Sequence, residues 1–209
     1  MKIVVFGASG GMGIKVVEQA LEAKHIVTAF LRTPSKITIR HPNLTLFQGD
    51  VMNTAAVENA IAGQEAVISV LHTTRPPVPG MMETAAQNII SAMQKDGVRR
   101  IISTTGAAVP QPEDQPKVGD RLINALISIF DKNFVVDSSA NVRVIQASDL
   151  DWTIVRFPRL MDGAHTGKYR VAYLGKDSGT QISRADGADF VLKELTDKKW
   201  LRRAPVVSY

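Results

Sequence analysis

Short apolar runs alternate with amphipathic stretches from the beginning of the chain. Lys2–Phe6 is an apolar run rich in β-branched residues, and Ile26–Leu31 is a second one. Between them, Ile14–Glu22 carries an apolar residue at every third or fourth position, which is the spacing of one face of a helix. The pattern predicts a strand, a helix and a second strand, which together form a β-α-β unit.

The same alternation continues along the chain. Further strands are predicted at Leu44–Phe47, Ala66–Leu71, Arg99–Thr105, Asp151–Arg156, Lys168–Leu174 and Ala204–Ser208. Helices are predicted at Thr54–Ile61, Met81–Gln94, Val118–Phe130, Asn133–Ala147, and from a cap in Ile182–Asp186 to about Leu195. This order predicts an α/β fold, a doubly wound parallel sheet in three layers, with a small C-terminal region on the substrate side. The length of 209 residues favours a single domain covering 1–209.

A glycine-rich turn joins the first strand to the first helix. We expect Gly7 to take a positive φ at the sharp turn, and Gly10 and Gly11 to leave room for a pyrophosphate. Gly13 would let the helix pack close to the strand, and Ser9 would add a hydroxyl donor. The spacing is GxxGxxG rather than the GxGxxG of the dinucleotide fingerprint. A helix N-terminus directly after such a turn favours binding of phosphates.

The residues after the second strand indicate which cofactor is bound. NAD sites place an acid there to hold the ribose 2′-hydroxyl, but this chain has Arg32–Lys36 without any acid. Arg32 and Lys36 are suited to pair with a 2′-phosphate, so we predict NADPH in preference to NADH. The alternative is that Arg32 is a solvated loop charge.

Asp50 follows the third strand, at the edge where an open parallel sheet binds ligands. Its carboxylate could accept a hydrogen bond from the adenine amino group, with the Val51 backbone beside the ring. Alternatively, Asp50 caps the next helix, and both roles are compatible. Thr54 is a second candidate for that N-cap.

Polar side chains and proline-rich loops follow the fourth and fifth strands. His72 begins one loop, and the hydroxyls of Ser103, Thr104 and Thr105 end the fifth strand. These hydroxyls could bind a substrate carbonyl or the cofactor carboxamide, or satisfy local backbone groups instead. His72 is suited to act as an acid or a substrate contact, although a lone loop histidine most often does neither. The segment 106–117 is predicted to be a surface loop, and a lid over the site is one role for it.

The composition excludes several classes of function. Hydrophobic residues make up 44% and charged residues 22%, as in ordinary globular proteins, and no apolar run is long enough to cross a bilayer. The absence of cysteine and of a signal peptide favours a cytoplasmic location. The net charge of +5 is mild, so no nucleic-acid partner is expected, and the four histidines lack metal-ligand spacing.

These residues resemble the atypical short-chain dehydrogenase/reductase proteins, which have an NAD(P)H-binding Rossmann domain. Within that group the chain is most similar to the flavin reductase and biliverdin reductase B-like proteins, over nearly its whole length. The resemblance rests on the segments Gly7–Gly13, Arg32–Lys36, Gly49–Val51, Ser69–Leu71, Ser103–Thr105, Asp151–Arg156 and Ile182–Asp186. The last two are the most specific, because a generic Rossmann domain does not need them.

The resemblance implies a place for each part of the cofactor. The phosphates would lie on Ser9–Gly13, and the 2′-phosphate would lie on Arg32. The adenine would lie at Asp50 and Val51. The nicotinamide would lie between Leu71–His72 and Thr104, and Phe157–Arg159 would close over its ribose. The predicted cofactor-binding residues are Gly7, Ser9, Gly10, Gly11, Met12, Gly13, Arg32, Thr33, Asp50, Val51, Leu71, His72, Thr104, Phe157 and Pro158.

One departure from the family pattern bears on the chemistry. Short-chain dehydrogenases usually protonate a carbonyl with a Tyr-x-x-x-Lys pair, but the matching positions here hold Phe134 and Ser138. All three tyrosines occur late in the chain, without such a lysine partner. The usual alcohol–ketone mechanism is therefore in doubt.

Three functions remain from the sequence, the third being an inactive Rossmann domain with a structural or assembly role. The first is an NADPH-dependent reductase that transfers hydride to a flat conjugated acceptor, such as a flavin, quinone or tetrapyrrole, which can take its proton from water. Thr105 or His72 would polarise this small-molecule acceptor. The second is a non-catalytic NAD(P)-binding regulator of the NmrA-like kind, which would bind a protein partner. A homo-oligomer is compatible with either.

Overall fold

An eight-stranded sheet forms the centre of the protein. The computed structural model describes residues 1–73, 76–119, 121–122 and 132–209, with the backbone alone for 132–134. The strands of this sheet are β1 Lys2–Phe6, β2 Ile26–Leu31, β3 Leu44–Gln48, β4 Ala66–Ser69, β5 Arg100–Gly106, β6 Asp151–Phe157, β8 Arg170–Ala172 and β10 Val206–Ser208. Their order across the sheet is β3-β2-β1-β4-β5-β6-β10-β8. All pairs are parallel except β8 with β10. The predicted doubly wound Rossmann fold is confirmed.

Helices cover both faces of the sheet. Among the described residues the α-helices are α1 Gly11–Glu22, α2 Thr54–Ile61, α3 Met81–Asp96, α4 Lys132–Gln146 and α5 Arg184–Lys193. Successive side chains of a strand point to opposite faces, so Val5 packs in a core with α1 and α5, whereas Val4 packs in a core with α2, α3 and α4. The result is the three-layer arrangement that the hydrophobic pattern predicts.

A separate two-stranded sheet lies on the C-terminal side of β6. It consists of β7 Arg159–Met161 and β9 Gln181–Ser183, which pair in parallel. This sheet corresponds to the small C-terminal region, but its three-residue strands were not predicted. The equally short β8 and β10 were predicted only as parts of longer segments, Lys168–Leu174 and Ala204–Ser208. A short 3-10 helix, Pro34–Lys36, follows β2 and was not predicted either.

Several predicted boundaries move by a few residues. Helix α1 begins at Gly11 rather than at Ile14, so the glycine-rich segment itself supplies the first helical turn. Strand β4 ends at Ser69, two residues earlier than predicted, while α3 extends to Asp96. The helix predicted at Val118–Phe130 falls largely outside the described residues.

Candidate functional site

The strand order places a cleft above the carboxyl ends of β1 and β4. The chain passes from β1 outward to β2 and β3 and then returns to β4 on the other side, which makes this point the topological switch of the sheet. A cavity of about 230 Å³ opens there. It is lined by Gly7, Ser9, Gly10, Phe30, Leu31, Arg32, Lys36, Gly49, Asp50, Val51, Val70, Leu71, His72 and Met81.

The cavity therefore brings together eight of the residues predicted to bind the cofactor: Gly7, Ser9, Gly10, Arg32, Asp50, Val51, Leu71 and His72. The others, Gly11, Met12, Gly13, Thr33, Thr104, Phe157 and Pro158, do not line it. Met81, the first residue of α3, lines the cavity without having been predicted, since its apolar side chain looks like any other core position.

The glycine-rich turn has the geometry expected of it. Gly7 has a φ of +81°, and a Cβ there would lie 2.8 Å from the carbonyl oxygen of Val70. A Cβ on Gly13 would lie 2.2 Å from the carbonyl oxygen of Gly7, so α1 packs directly against the turn. Both structural roles predicted from the sequence are confirmed.

The N-terminus of α1 faces the same edge of the sheet. Gly10 is the N-cap, and no side chain of a described residue caps this end or places an acid in its first turn. The first amides of the helix thus keep free N–H groups and the positive end of the helix dipole, which together favour an anion. The Met12 side chain is buried in the core, so this residue can offer a ligand its backbone alone.

Basic and aromatic side chains shape the far end of the cavity. Arg32 and Lys36 are both exposed there, as is Thr33, which lies outside the lining. The ring of Phe30 forms part of the wall, and a Cβ on Gly49 would lie 2.6 Å from it. Gly49 is thus required for this wall, a packing role that its place in the motif alone does not reveal.

Asp50 does not cap helix α2. Its Oδ1 accepts a hydrogen bond from the Met52 N–H at 2.9 Å, whereas the cap is Asn53, whose Oδ1 accepts from the Ala56 N–H at 3.0 Å. Both cap predictions, Asp50 and Thr54, were wrong, because the helix begins at Thr54 and the capping side chain comes immediately before it. The adenine-binding role of Asp50 stays a prediction.

His72 lies over the glycine-rich turn. Its Nε2 would be 3.8 Å from a Cβ on Gly10, and its Nδ1 lies 2.9 Å from the carbonyl oxygen of Thr73. The imidazole therefore borders the region where phosphates would approach the turn. Positions 74 and 75 of the same loop lie outside the described residues.

The two threonines at the end of β5 face opposite sides of the sheet. Thr104 lies on the α1 side and its hydroxyl is 3.5 Å from the carbonyl oxygen of Ser69. Thr105 lies on the α3 side, and its buried hydroxyl has no hydrogen-bond partner among the described residues. An unpaired buried hydroxyl is unfavourable. Thr105, predicted to contact the acceptor, does not line the cavity.

Phe157 ends β6 and is buried, with its ring 3.2 Å from where a Cβ on Gly187 would lie. Its side chain therefore belongs to the core. At this strand end Pro158 is half-buried and Arg159 exposed.

Tyrosine hydroxyls lie away from the cleft. Tyr169 donates to Asp189 at 2.6 Å and Tyr209 donates to Asp186 at 2.7 Å, while the Tyr173 hydroxyl is buried without a described partner. Burial, together with the neighbouring Asp189 carboxylate, raises the pKa of Tyr169. No tyrosine lines the cavity, which agrees with the missing Tyr-x-x-x-Lys pair. Ser138 is buried on α4, whereas only the backbone of Phe134 is among the described parts of the chain.

The segment 106–117 is anchored to the core and is not a free lid. Asp114 forms two hydrogen bonds, of 2.6 and 2.7 Å, with the guanidinium of fully buried Arg156, and also accepts from the Leu174 N–H at 3.1 Å. The segment is a loop with exposed residues, as predicted, but the buried ion pair of Asp114 argues against its suggested role as a lid. The sequence did not show that β6 carries a buried arginine that needs a partner.

Within the described ranges, no helix has the length and apolar character to cross a membrane. The described histidine, aspartate and glutamate side chains form no cluster of three or more suited to a metal ion.

A protein family described as NAD(P)H-binding matches residues 7–198. The 3-beta-hydroxysteroid dehydrogenase of Mycolicibacterium neoaurum is 29% identical over 120 residues, 52% of this chain and 32% of that protein. The uncharacterized protein YwnB of Bacillus subtilis is 27% identical over 208 residues, which cover 93% of this chain and 92% of that protein. The photosystem II assembly factor Ycf39 of Synechocystis is 22% identical over 182 residues, which cover 85% of this chain and 50% of that protein. The chain thus spans half or less of the dehydrogenase and of Ycf39.

Two solved structures have the same fold. A short-chain dehydrogenase/reductase of Veillonella parvula in complex with NADP has a TM-score of 0.81 at 20% identity, covering 100% of this chain and 94% of that one. ChuY, an anaerobillin reductase of Escherichia coli O157:H7, has a TM-score of 0.81 at 22% identity, covering 100% of this chain and 97% of that one. These names are consistent with an NAD(P)H-dependent oxidoreductase. The matched residues 7–198 include the whole glycine-rich turn and most of the sheet, and the chain belongs to this NAD(P)H-binding family.

Proposed function

We propose that this protein is an NADPH-dependent reductase that transfers hydride to a flat conjugated acceptor such as a flavin, quinone or tetrapyrrole. The observation that carries the proposal is the switch-point cavity, which joins the turn at Gly7 to the basic pair Arg32 and Lys36. The whole chain, 1–209, acts as one domain in this account.

The residues of the cavity suit the parts of NADPH in order. The free amides at the start of α1 offer hydrogen bonds to the pyrophosphate. Arg32 and Lys36 provide two positive charges for the 2′-phosphate, and the Asp50 carboxylate is available to the adenine amino group. Leu71, His72 and Thr104 would border the nicotinamide, near the ends of β4 and β5.

The cofactor supplies the hydride, and the protein's task is to position an acceptor and exclude water. Without a tyrosine in the cleft, an acceptor that is protonated from solvent is favoured over a ketone. The unpaired Thr105 hydroxyl can donate to a heteroatom of such an acceptor, and His72 is the second candidate for this role. The reductase ChuY has the same fold, which supports a tetrapyrrole among the acceptors to be tested.

A non-catalytic regulator is the second candidate function. Two observations favour it: the Tyr-x-x-x-Lys pair is missing, and the relative Ycf39 is named an assembly factor. Such a protein would bind NAD(P) and a protein partner without turnover.

Oxidation of NADPH by the purified protein, measured anaerobically with FMN, a quinone and biliverdin in turn, separates the two functions. Steady turnover with at least one acceptor is expected for the reductase, and Thr105→Val should lower kcat by about tenfold or more while Thr105→Ser retains it. Tight NADPH binding with no turnover, together with a copurifying protein, would favour the regulator and contradict the reductase.

A further inference from the structure

Arg184 lies across the glycine-rich turn, although it comes from the far end of the chain. It is the first residue of α5, and its Nε would be 3.0 Å, and its Cδ 3.2 Å, from a Cβ on Gly11. Gly11 is the first residue of α1 and has no positive φ, so its backbone does not require glycine. The missing side chain at Gly11 therefore makes room for the Arg184 side chain.

The position of Arg184 is fixed by contacts between α5 and its surroundings. Gln19 of α1 donates to the carbonyl oxygen of Ala185 at 2.8 Å, which joins the two helices beside Arg184. Ser183 caps α5 and also donates to the carbonyl oxygen of Ala164 at 3.2 Å. Since the backbone is held on both sides of Arg184, its side chain is aimed at the turn by the fold.

The guanidinium of Arg184 forms an ion pair that adds little stability. Its Nη1 donates to Asp162 at 2.7 Å, but the Asp162 side chain is 96% exposed, whereas that of Arg184 is 29% exposed. An exposed ion pair of this kind adds little stability, because water can replace either partner. The Arg184 charge can therefore exchange Asp162 for a stronger anion at small cost.

We infer that Arg184 binds the cofactor pyrophosphate and that Asp162 holds the guanidinium in place until the cofactor arrives. The inference rests on the proposed function, since it assigns a side-chain ligand to the same phosphate site. A guanidinium can reach two phosphate oxygens at once, a geometry that lysine cannot reproduce. The α1 amides would then bind the pyrophosphate from one side and Arg184 from the other.

Calorimetric titration of the full-length protein with NADPH and with ADP-ribose tests the inference. ADP-ribose keeps the pyrophosphate but lacks the nicotinamide and the 2′-phosphate. Arg184→Met should weaken both ligands by about tenfold or more, with Arg184→Lys in between. Asp162→Asn should tighten both by about two- to fivefold, because it frees the guanidinium. Arg99→Met is the matched control, since Arg99 forms an exposed pair with Asp149 at the opposite edge of the sheet, and it should change neither.

The outcomes separate the two proposals. Wild-type affinity in a folded Arg184→Met protein would overturn the inference and leave the proposed function intact. A loss with NADPH but not with ADP-ribose would move Arg184 to the nicotinamide or to the 2′-phosphate and overturn the pyrophosphate assignment. If Asp162→Asn binds no tighter than wild type, the exchange of partners is wrong. If the wild-type protein binds neither NADPH nor NADH, the proposed function fails and the inference fails with it.

Discussion

Gly7 and Val70 face each other across the switch point of the sheet, so closely that a Cβ on Gly7 would lie 2.8 Å from the Val70 carbonyl oxygen. This contact joins the turn after β1 to the chain leaving β4, the two segments between which the cleft opens. The identity of residue 7 thus sets the shape of the candidate cofactor site as well as the path of the turn.

Gly7→Ala should lower both stability and NADPH affinity. Gly63 is the matched control, because it also has a positive φ, of +71°, but has nothing within 4 Å of an added Cβ. Gly63→Ala should cost about 1–2 kcal/mol from the backbone conformation alone. Gly7→Ala should cost at least about 1 kcal/mol more from the overlap with Val70. Urea unfolding of both variants gives the comparison, and equal costs would mean that the contact at Val70 relaxes freely.

Asp114→Asn should destabilise the protein strongly. The side chain of Arg156 is fully buried and that of Asp114 is 6% exposed, so removing the negative charge leaves a guanidinium in the core without its counter-ion. The expected cost is about 3–5 kcal/mol in the free energy of unfolding. Glu113→Gln alters the neighbouring carboxylate and should stay within about 0.5 kcal/mol of wild type. A loss below about 1 kcal/mol for Asp114→Asn would show that the segment 106–117 is not anchored by this pair.

Glu194 should make stability depend on pH near neutrality. Its side chain is 1% exposed, and burial raises the pKa of Glu194 to about 7, against the opposing effects of Arg100 at 3.3 Å and Thr153 at 3.2 Å. Between the unfolded value of 4.5 and about 7, the native state binds more protons than the unfolded chain, so stability falls as pH rises through this window.

The variant Glu194→Gln should remove this part of the pH dependence. Across the window the wild-type protein should lose about 1–3 kcal/mol relative to the variant, as measured by urea unfolding from about pH 5 to about pH 8. Glu18→Gln, which alters an exposed pair with Lys15, should run parallel to wild type. Parallel curves for Glu194→Gln and wild type would mean that the carboxylate stays ionised beside Arg100.

The main features of the sheet and the turn were predictable from the sequence because they depend on local physics. Apolar periodicity identifies β1 and α1, and a glycine between them allows the positive φ that Gly7 has. The cavity lining follows from the same facts, since parallel strands place their carboxyl ends at one edge.

The missed features depend on contacts between distant segments. Nothing near Asp114 signals that Arg156 lies 42 positions later in the chain and beneath it. Arg184 and Gly11 meet for the same reason, through the packing of α5 against α1. Before and at the start of α2, Asp50, Asn53 and Thr54 are all candidates for one cap, and the exact first helical residue decides in favour of Asn53.

The most direct test of the account is a calorimetric titration of the purified protein with NADPH and then NADH, repeated with Arg32→Ala and with Arg40→Ala, an exposed arginine outside the cavity. We predict that NADPH binds at least about tenfold more tightly than NADH, that Arg32→Ala removes this preference, and that Arg40→Ala keeps it. Equal affinity for the two nucleotides would contradict the role of Arg32, and binding of neither would contradict the account as a whole.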